Sequence, residues 1–355
     1  MADHRRAHAI VGLGAVLPGA HDVSAFRARA ESASSAIRRA SSGARFEPEA
    51  HPELGAAGFV TDGWVFDWRR FHVPPADVRV GNPLSFAALA AGAEALAGVR
   101  NLPRESTAIV LGASTLGYQR DSGLRIHLDE MTAALRDAAA RSDDAASILP
   151  SIESAANTLK ARLAPSSSDN VVGSLASVAA ARIAMHFDLY GPHYAVDAGF
   201  ASAHAALETA LLGLEQGEWD CVVTGGVSEL LTPLVHRAHA ARGVLAFEPR
   251  VRAWTEFRDG TVLGEGVVLF VLKRLEDALR DGDTVHAVVR GASTAWGPNP
   301  RDALRSAVHD AFARAGSELD ELGHLECAAC GVAEIDDAEL DALDAEFKGR
   351  SRPLT

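Results

Sequence analysis

Short apolar runs that end in glycine alternate along this chain with alanine-rich segments of helical pattern. Ala7–Gly14 and Ser106–Gly112 are two such runs, and a segment of helical pattern follows each of them within a few residues. The small residues of Pro83–Val99 and Val171–Leu189 permit close packing on a sheet, so both are predicted as interior helices. The alternation predicts an α/β fold of stacked layers with mostly parallel strand pairing.

The same alternation continues through the rest of the chain. Further strands are predicted at Tyr194–Asp197, Trp219–Gly226, Gly260–Leu275, Val285–Gly291 and His324–Ala328. Further helices are predicted at Ala203–Leu214, Arg301–Ala315 and Asp336–Phe347. The segment Tyr118–Asp169 is less regular, with charged helical stretches, and we expect it to form a cap or an insertion.

The charge and the cysteine content limit the partners and the compartment. The 355 residues carry a formal net charge of −13, whereas nucleic-acid and anionic-membrane surfaces need a surplus of Lys and Arg. No apolar stretch reaches membrane-crossing length. Three cysteines do not form a disulfide framework, so we expect a cytoplasmic protein. Gly12–Gly19 departs from the G-x-G-x-x-G spacing, and no cofactor is predicted.

Four segments occur in the order and at the spacing of one known family. They are IVGLGAVLPG at Ile10–Gly19, GPHYAVDAG at Gly191–Gly199, GGVSELLTP at Gly225–Pro233 and FRDGTVLGEG at Phe257–Gly266. The chain resembles, over essentially its whole length, the β-ketoacyl synthases of fatty acid and polyketide pathways. The last segment is the most specific, because it is close to the family's Arg-Asp-Gly-Phe-Val-x-Gly-Glu-Gly.

The resemblance implies the thiolase fold, a layered α-β-α-β-α architecture, with a shortened C-terminal half. We expect a single body, in which 1–283 form the N-terminal half and 284–355 an incomplete C-terminal half. The cap or insertion is expected at about 118–170, within the N-terminal half.

The family places its nucleophilic cysteine in the pattern Val-Asp-Thr-Ala-Cys, on a strand-to-helix turn where the helix dipole lowers the thiol pKa. Here the corresponding residues run from Val196 to Phe200, and the nucleophile position falls on Phe200. A phenyl ring has no lone pair with which to attack a thioester. The resemblance therefore implies that no acyl-enzyme forms at this position.

The two histidines of the family are also without counterparts in this sequence. The first belongs to a His-Gly-Thr-Gly/Ser-Thr motif, and alignment on Asp336 and Glu339 places Ala328 at its position. A methyl group cannot donate the hydrogen bond that such a histidine gives to a developing oxyanion. The second histidine follows in a Lys-x-x-x-Gly-His motif, and the sequence stops at Thr355 before that motif.

Two further groups of residues admit a chemical interpretation. Cys327 and Cys330 form a C-x-x-C, but a zinc site needs two more ligands and no second ligand pair accompanies it, so no metal site is predicted. Ser202 and His204 resemble the start of a hydrolase site, but residues two apart on a helix point to different sides. We expect Ser202 to cap the helix instead.

Three hypotheses about function remain. In the first, the chain is a non-catalytic partner of an active ketosynthase, of the chain-length-factor type, with acyl carrier protein as a further partner. The resemblance implies pairing through the strand of Tyr194, Ala195, Val196 and Asp197. In the second, it is a repurposed acyl-handling enzyme, an acyltransferase or a hydrolase, that uses Ser202, His204 or Cys330. In the third, it is a docking or scaffold domain, or a degenerate fragment of a synthase.

Overall fold

The structure is a computed structural model that describes residues 7–39, 56–60, 63–113, 120–163, 175–228 and 231–348. Its strands are β1 (His8–Val16), β2 (Arg38–Arg39), β3 (Ala56–Ala57), β4 (Thr107–Ala113), β5 (His193–Val196), β6 (Cys221–Val227), β7 (Val267–Arg274) and β8 (Ala287–Val289). Its helices are α1 (Val23–Glu31), α2 (Pro75–Val80), α3 (Pro83–Leu96), α4 (Arg120–Ala139), α5 (Ala145–Arg162), α6 (Ser177–Phe187), α7 (Ser202–Gln216), α8 (Pro233–Ala241), α9 (Leu275–Asp281), α10 (Pro300–Ala315) and α11 (Ala333–Phe347). No described helix combines the length and the apolarity that a bilayer crossing needs.

One mixed sheet organises the described residues, with strand order β5-β4-β6-β7-β1-β8. Strand β4 runs parallel to β5 and β6, while β7 pairs antiparallel with β6 and β1, and β8 pairs antiparallel with β1. The prediction of mostly parallel pairing is therefore wrong. Val227 at the end of β6 lies opposite Val267 at the start of β7, so the intervening chain returns at the same end of the sheet and makes no crossover.

On one face of the sheet, α3 and α6 form the predicted interior layer. Eleven of the fourteen residues of α3 are buried. The helix lies directly on β1, because a Cβ at Gly12 or Gly14 would come within 1.9 Å of a backbone oxygen of α3. Predicted residues 171–174 at the start of the second helix lie outside the described residues. The prediction of two interior helices is confirmed for the described parts.

On the other face of the sheet, α7 packs against β4 and β6. Ala206, Ala210 and Leu214 of α7 are fully buried, and they pack with Val110 and Val222 of the sheet. The small side chains let the helix axis approach the strands closely. The described sheet thus lies between two helical layers, and its β4–β5–α7 corner carries the turn that contains Phe200.

Two predicted segments take a different form in the structure. His324–Ala328 has no regular secondary structure and belongs to neither described sheet, so the predicted strand is wrong. An apolar alternating segment forms a strand only where a neighbour satisfies its backbone groups, and no described strand lies beside it. The irregular segment from Tyr118 contains two helices, α4 and α5, which pack against each other.

Candidate functional site

The turn between β5 and α7 is held by its own side chains. Gly199 has φ +59°, a left-handed conformation that glycine adopts without strain. Its N–H donates to Oδ1 of Asp197 at 3.1 Å. The hydroxyl of Ser202 accepts the N–H of Ala198 at 2.9 Å and donates to the carbonyl of Gly199 at 2.6 Å. The turn presents Phe200 outwards, 80% exposed.

Two glycines let this turn lie directly on the sheet. A Cβ at Gly112 of β4 would come within 2.3 Å of the carbonyl carbon of Ser202. A Cβ at Gly226 of β6 would come within 3.1 Å of the Cβ of Ala203. Contacts this short exclude any side chain at Gly112 unless the backbone moves. The sheet thereby fixes the first turn of α7 and the position of Phe200.

Phe200 stands on the wall of a cavity of about 1160 Å³. Much of the lining is apolar, with Leu17, Leu207, Val227, Leu231, Val235, Leu263 and Phe270 among its side chains. His239 of α8 also lines it, and its ring centroid lies 6.2 Å from that of Phe200. The Nδ1 atom of His239 is buried and has no hydrogen-bond partner among the described residues.

Ser202 and His204 are both near this cavity, but they do not form a catalytic pair. Ser202 is buried and its hydroxyl is engaged with the backbone of the turn, whereas His204 is exposed. The expectation that Ser202 caps the helix is wrong. The helix begins after Ala201, and the Ser202 hydroxyl accepts from Ala198, which precedes the helix. The serine stabilises the turn and does not cap α7.

The loop that contains Ala328 is held by two carboxylates of α11. The N–H groups of Ala328 and Ala329 donate to the two oxygens of Glu339 at 2.8 and 3.0 Å. Asp336 is fully buried and accepts the N–H of Gly331 at 3.1 Å. Ala329 and Gly331 have φ +44° and +83°, so the loop turns twice through left-handed conformations. The amides of Ala328 and Ala329 are therefore already hydrogen-bonded, and the Ala328 side chain provides no donor.

The Ala328 loop adjoins the cavity without reaching its wall. The N–H of Gly260 donates to the carbonyl of Gly331 at 3.0 Å, and Thr261, the next residue after Gly260, lines the cavity. Ala328 itself is exposed and is not among the described residues that form the lining. The structure thus places Phe200 and Ala328 on neighbouring segments, and only Phe200 faces the cavity.

Cys327 and Cys330 are unpaired and partly exposed. Burial raises the pKa of both thiols, and the carboxylates of Glu339 and Asp336 raise the pKa of Cys327 and Cys330 respectively. A raised pKa lowers the thiolate fraction at neutral pH, and the thiolate is the form that attacks acyl groups and binds metals. Among the described residues, no group of three or more His, Cys, Asp and Glu side chains is placed to hold a metal ion.

The strand predicted to pair with a partner lies at the edge of the sheet. β5 pairs with β4 on one side, and no described strand lies on its other side. It comprises His193–Val196, so it begins one residue earlier than predicted and Asp197 already belongs to the turn. An edge strand carries unpaired N–H and C=O groups that can accept another strand.

The sequence pattern did not indicate the structural role of two residues of the site. His239 comes beside Phe200 only because α8 packs near the turn, and no local motif marks it. Glu265 was seen as part of a glycine-rich motif, and the structure gives it a function. Its carboxylate accepts the N–H groups of Val60 and Leu231 at 3.0 and 3.1 Å, which ties three segments together at the cavity.

Comparison with known proteins places this geometry in a family. The model of the β-ketoacyl synthase N-terminal domain matches residues 6–278. Polyketide synthase PksN of Bacillus subtilis (strain 168) is 26% identical over 369 residues, covering 98% of this chain and 6% of PksN. Non-reducing polyketide synthase mapC of Penicillium brevicompactum is 32% identical over 190 residues, covering 52% of this chain and 8% of that protein. The chain thus spans a small part of these relatives.

Solved ketosynthases have the same fold. The ketosynthase from module 6 of the bacillaene synthase of Bacillus subtilis 168 superposes with a TM-score of 0.72 at 23% identity, covering 98% of this chain and 55% of that one. The oxazolomycin ketosynthase domain OzmH KS7 of Streptomyces albus JA3453 gives 0.76 at 23% identity, covering 98% and 59%. These likenesses confirm the α/β, thiolase-like fold predicted from the sequence. The chain belongs to the β-ketoacyl synthase family.

Proposed function

We propose that the chain is a non-catalytic ketosynthase-like subunit that pairs with an active ketosynthase in polyketide or fatty-acid-like biosynthesis, as a chain-length factor does. The observation that carries the proposal is Phe200, which stands exposed at the nucleophile turn while the surrounding hydrogen bonds and glycine contacts are formed. The backbone needed to present a nucleophile is present, and the nucleophile is not.

The second position supports the same proposal. The amides of Ala328 and Ala329 are already bound by Glu339 and the Ala328 side chain is a methyl group, so position 328 supplies no donor for a developing oxyanion. Removing both the nucleophile and a charge-stabilising donor leaves the family's condensation without two of its chemical groups. A partner ketosynthase would then supply the chemistry.

Pairing is proposed through the outer edge of β5. This edge strand has unpaired backbone groups on its outer side, so an antiparallel strand of a partner can extend the sheet. Because the turn with Phe200 follows β5 directly, the partner would lie next to the cavity. In this arrangement Phe200 projects towards space shared by the two subunits, and we propose that it limits the length of an acyl chain.

The alternative, a repurposed acyl-handling enzyme, has weaker support. Ser202 is committed to the backbone of the turn, and the raised pKa of Cys330 disfavours its thiolate. His204 and His239 do line the cavity and could act on a bound acyl group. A measurement of acylation of the purified chain therefore distinguishes a non-catalytic subunit from an acyl-handling enzyme.

The test uses the chain co-expressed with a ketosynthase and an acyl carrier protein from the same organism. We expect a stable complex, an unmodified intact mass after incubation with acyl thioesters, and no condensation by the chain alone. Phe200→Cys should not restore condensation, because Ala328 still provides no donor. In the complex, Phe200→Ala should change the product length.

Three results would contradict the proposal. They are failure to co-purify with the ketosynthase, covalent acylation of the wild-type chain, and product lengths that do not differ between the wild-type complex and the Phe200→Ala complex. The variant Leu279→Ala is a matched control, since Leu279 is an exposed apolar residue on α9, outside the residues that line the cavity. It should leave both pairing and product length unchanged.

A further inference from the structure

Strand β1 begins with a histidine that is fully buried. His8 has no exposed surface, and neither of its ring nitrogens has a hydrogen-bond partner among the described residues. A buried polar group without a partner destabilises a fold, and a buried charge without a partner destabilises it far more. The fold therefore accommodates His8 as a neutral ring, and a proton on that ring would perturb the strands around it.

The strand on one side of β1 places a positive charge beside His8. Arg274 of β7 lies opposite His8 in the register of the two strands, and its guanidinium pairs with Asp220 and Asp277. Burial, and to a smaller extent the charge of Arg274, lower the pKa of His8 to about 4. The carboxylates near Arg274 are thus already engaged, and the guanidinium repels a second positive charge.

The remaining charged groups near β1 give His8 no partner either. They are Glu276 and Arg280 of α9, which packs on β1, and His286 and Arg290 on either side of β8. Arg280 pairs with Asp277, and Arg290 donates to the carbonyl of Ala315 at 3.0 Å. Glu276 and His286 are exposed, and β8 itself contains no titratable side chain. A proton on His8 would therefore remain an unpaired buried charge.

The strand on the other side of β1 is short and lies at the edge of the described sheet. β8 comprises three residues and pairs with β1 alone among the described strands, with Val289 opposite His8. β7, in contrast, pairs with β1 from His8 to Val16. A short strand with one neighbour opens at a lower cost than a strand that is paired on both sides. β8 is therefore the neighbour that can move away from a charged ring.

The chain that follows β8 has an anchor that withstands mild acid. Glu208 of α7 accepts the N–H of Thr294 at 2.8 Å and its hydroxyl at 2.6 Å, and it also pairs with Arg314. Burial raises the pKa of Glu208, but the hydrogen bonds from Thr294 and Arg314 outweigh burial and hold it below its usual value. Glu208 thus stays charged at a pH where His8 already titrates, and opening can be confined to β8.

We propose that His8 makes the pairing of β8 with β1 sensitive to acid, so that protonation of the buried ring opens β8 while β4, β6 and β7 stay paired. The proposal goes beyond the proposed function and does not depend on it. β8 and the proposed pairing strand β5 lie at opposite edges of the described sheet.

The direction of the pH dependence follows from the neutral ring in the closed state. When β8 is closed the pKa of His8 is about 4, whereas a ring exposed to water has a pKa of 6.5. The closed state keeps its full stability above about pH 6.5 and loses stability progressively as the pH falls towards 4. Between pH 7.5 and pH 5.0 these two values raise the ratio of open to closed β8 by about 30-fold.

The test is hydrogen exchange of the purified full chain at pH 7.5 and pH 5.0, measured by mass spectrometry. Each exchange rate is divided into the intrinsic rate at the same pH, which gives a protection factor for each segment. We expect the protection of residues 286–289, which include the His286 N–H bound to the carbonyl of Ile10, to fall by about 30-fold at pH 5.0. The protection of β4 and β6 should stay unchanged.

His8→Leu removes the titrating group and keeps an apolar side chain of similar size, so the protection of β8 should no longer depend on pH. His8→Val, with a smaller side chain suited to a strand, should behave in the same way. The matched control is His286→Leu, which removes an exposed histidine directly before β8 and should retain the full acid response.

Four results would overturn the proposal. They are equal protection of β8 at the two pH values in the wild type, an acid response that persists in His8→Leu and His8→Val, its loss in His286→Leu, and an equal fall of protection in β4 and β6.

If neither His8 variant folds, the wild type still decides. Its His8 ring signal, followed by nuclear magnetic resonance, should titrate below pH 5, and a midpoint near 6.5 would contradict a buried neutral ring. Failure of the chain to co-purify with a ketosynthase counts against the proposed function alone and leaves the acid response of β8 standing.

Discussion

The turn at 197–202 contains Phe200 and the loop at 327–331 contains Ala328, and the two segments are held in different ways. The turn is fixed by the Ser202 hydroxyl within it and by the close approach of Gly112 beneath it. The loop is fixed from outside, by Asp336 and Glu339 of a helix that follows it. The turn depends on its own hydroxyl and on steric fit to the sheet, whereas the loop depends on hydrogen bonds to two carboxylates.

The difference bears on the proposal that the chain is non-catalytic. At the turn, Phe200 is the side chain that the backbone presents, while the fit of the turn to the sheet depends on the close approach at Gly112 and Gly226. At the loop, Ala328 leaves a backbone whose amides are already bound to Glu339. Both segments can therefore keep their backbone shape with Phe200 and Ala328 in place, which is compatible with the proposed role in pairing.

The largest expected effect is at the turn, from Gly112→Ala. The added methyl would lie within 2.3 Å of the Ser202 backbone, so α7 must move away from β4. We expect a loss of about 3 to 5 kcal/mol in the free energy of unfolding, measured by urea denaturation.

Gly98→Ala is the matched control for that variant, because a Cβ at Gly98 meets no atom within 4 Å and its change should be within about 1 kcal/mol. Equal stability of the two variants would show that α7 does not lie against β4 as described.

At the loop, Asp336→Ala should have a smaller but still large effect. The buried carboxylate accepts the N–H groups of Gly331 and Trp254, each at 3.1 Å, and its removal leaves both amides without that partner. We expect a loss of about 2 to 3 kcal/mol, with faster hydrogen exchange at these two amides.

Asp337→Ala is the matched control, since the neighbouring Asp337 pairs with Arg258 at the surface and its loss should cost less than about 1 kcal/mol. If exchange at Gly331 and Trp254 is unchanged in Asp336→Ala, then Asp336 does not hold the loop.

Local pattern and long-range packing explain which features could be predicted. The strand before Phe200, the turn and the helix after it follow from the order of residues, and the structure contains them. The antiparallel direction of β7 could not be predicted in this way, because it depends on where the chain re-enters the sheet. The failure of His324–Ala328 to form a strand likewise depends on neighbours that lie outside the segment.

The candidate site divides in the same way. Position 200 was chosen as a candidate site position from a short motif. The contact of His239 with the Phe200 ring arises from the packing of α8, and no local sequence pattern predicts it. Ser202 was expected to cap α7, and the direction of its hydrogen bonds became visible only with the backbone of the turn in place. Because the Ser202 hydroxyl already makes hydrogen bonds to the backbone of the turn, it is a poor candidate for a nucleophile.

The smallest expected effects concern two side chains of the turn, Ser202 and Phe200. Ser202→Ala removes the acceptor for the Ala198 N–H and should cost about 1 to 2 kcal/mol. Phe200→Ser, two residues away, removes a ring that is 80% exposed and should change the free energy of unfolding by less than about 0.5 kcal/mol. Urea denaturation of the isolated chain measures both. A cost above about 1 kcal/mol for Phe200→Ser would mean that the ring is buried in solution, and then it could not face a shared cavity.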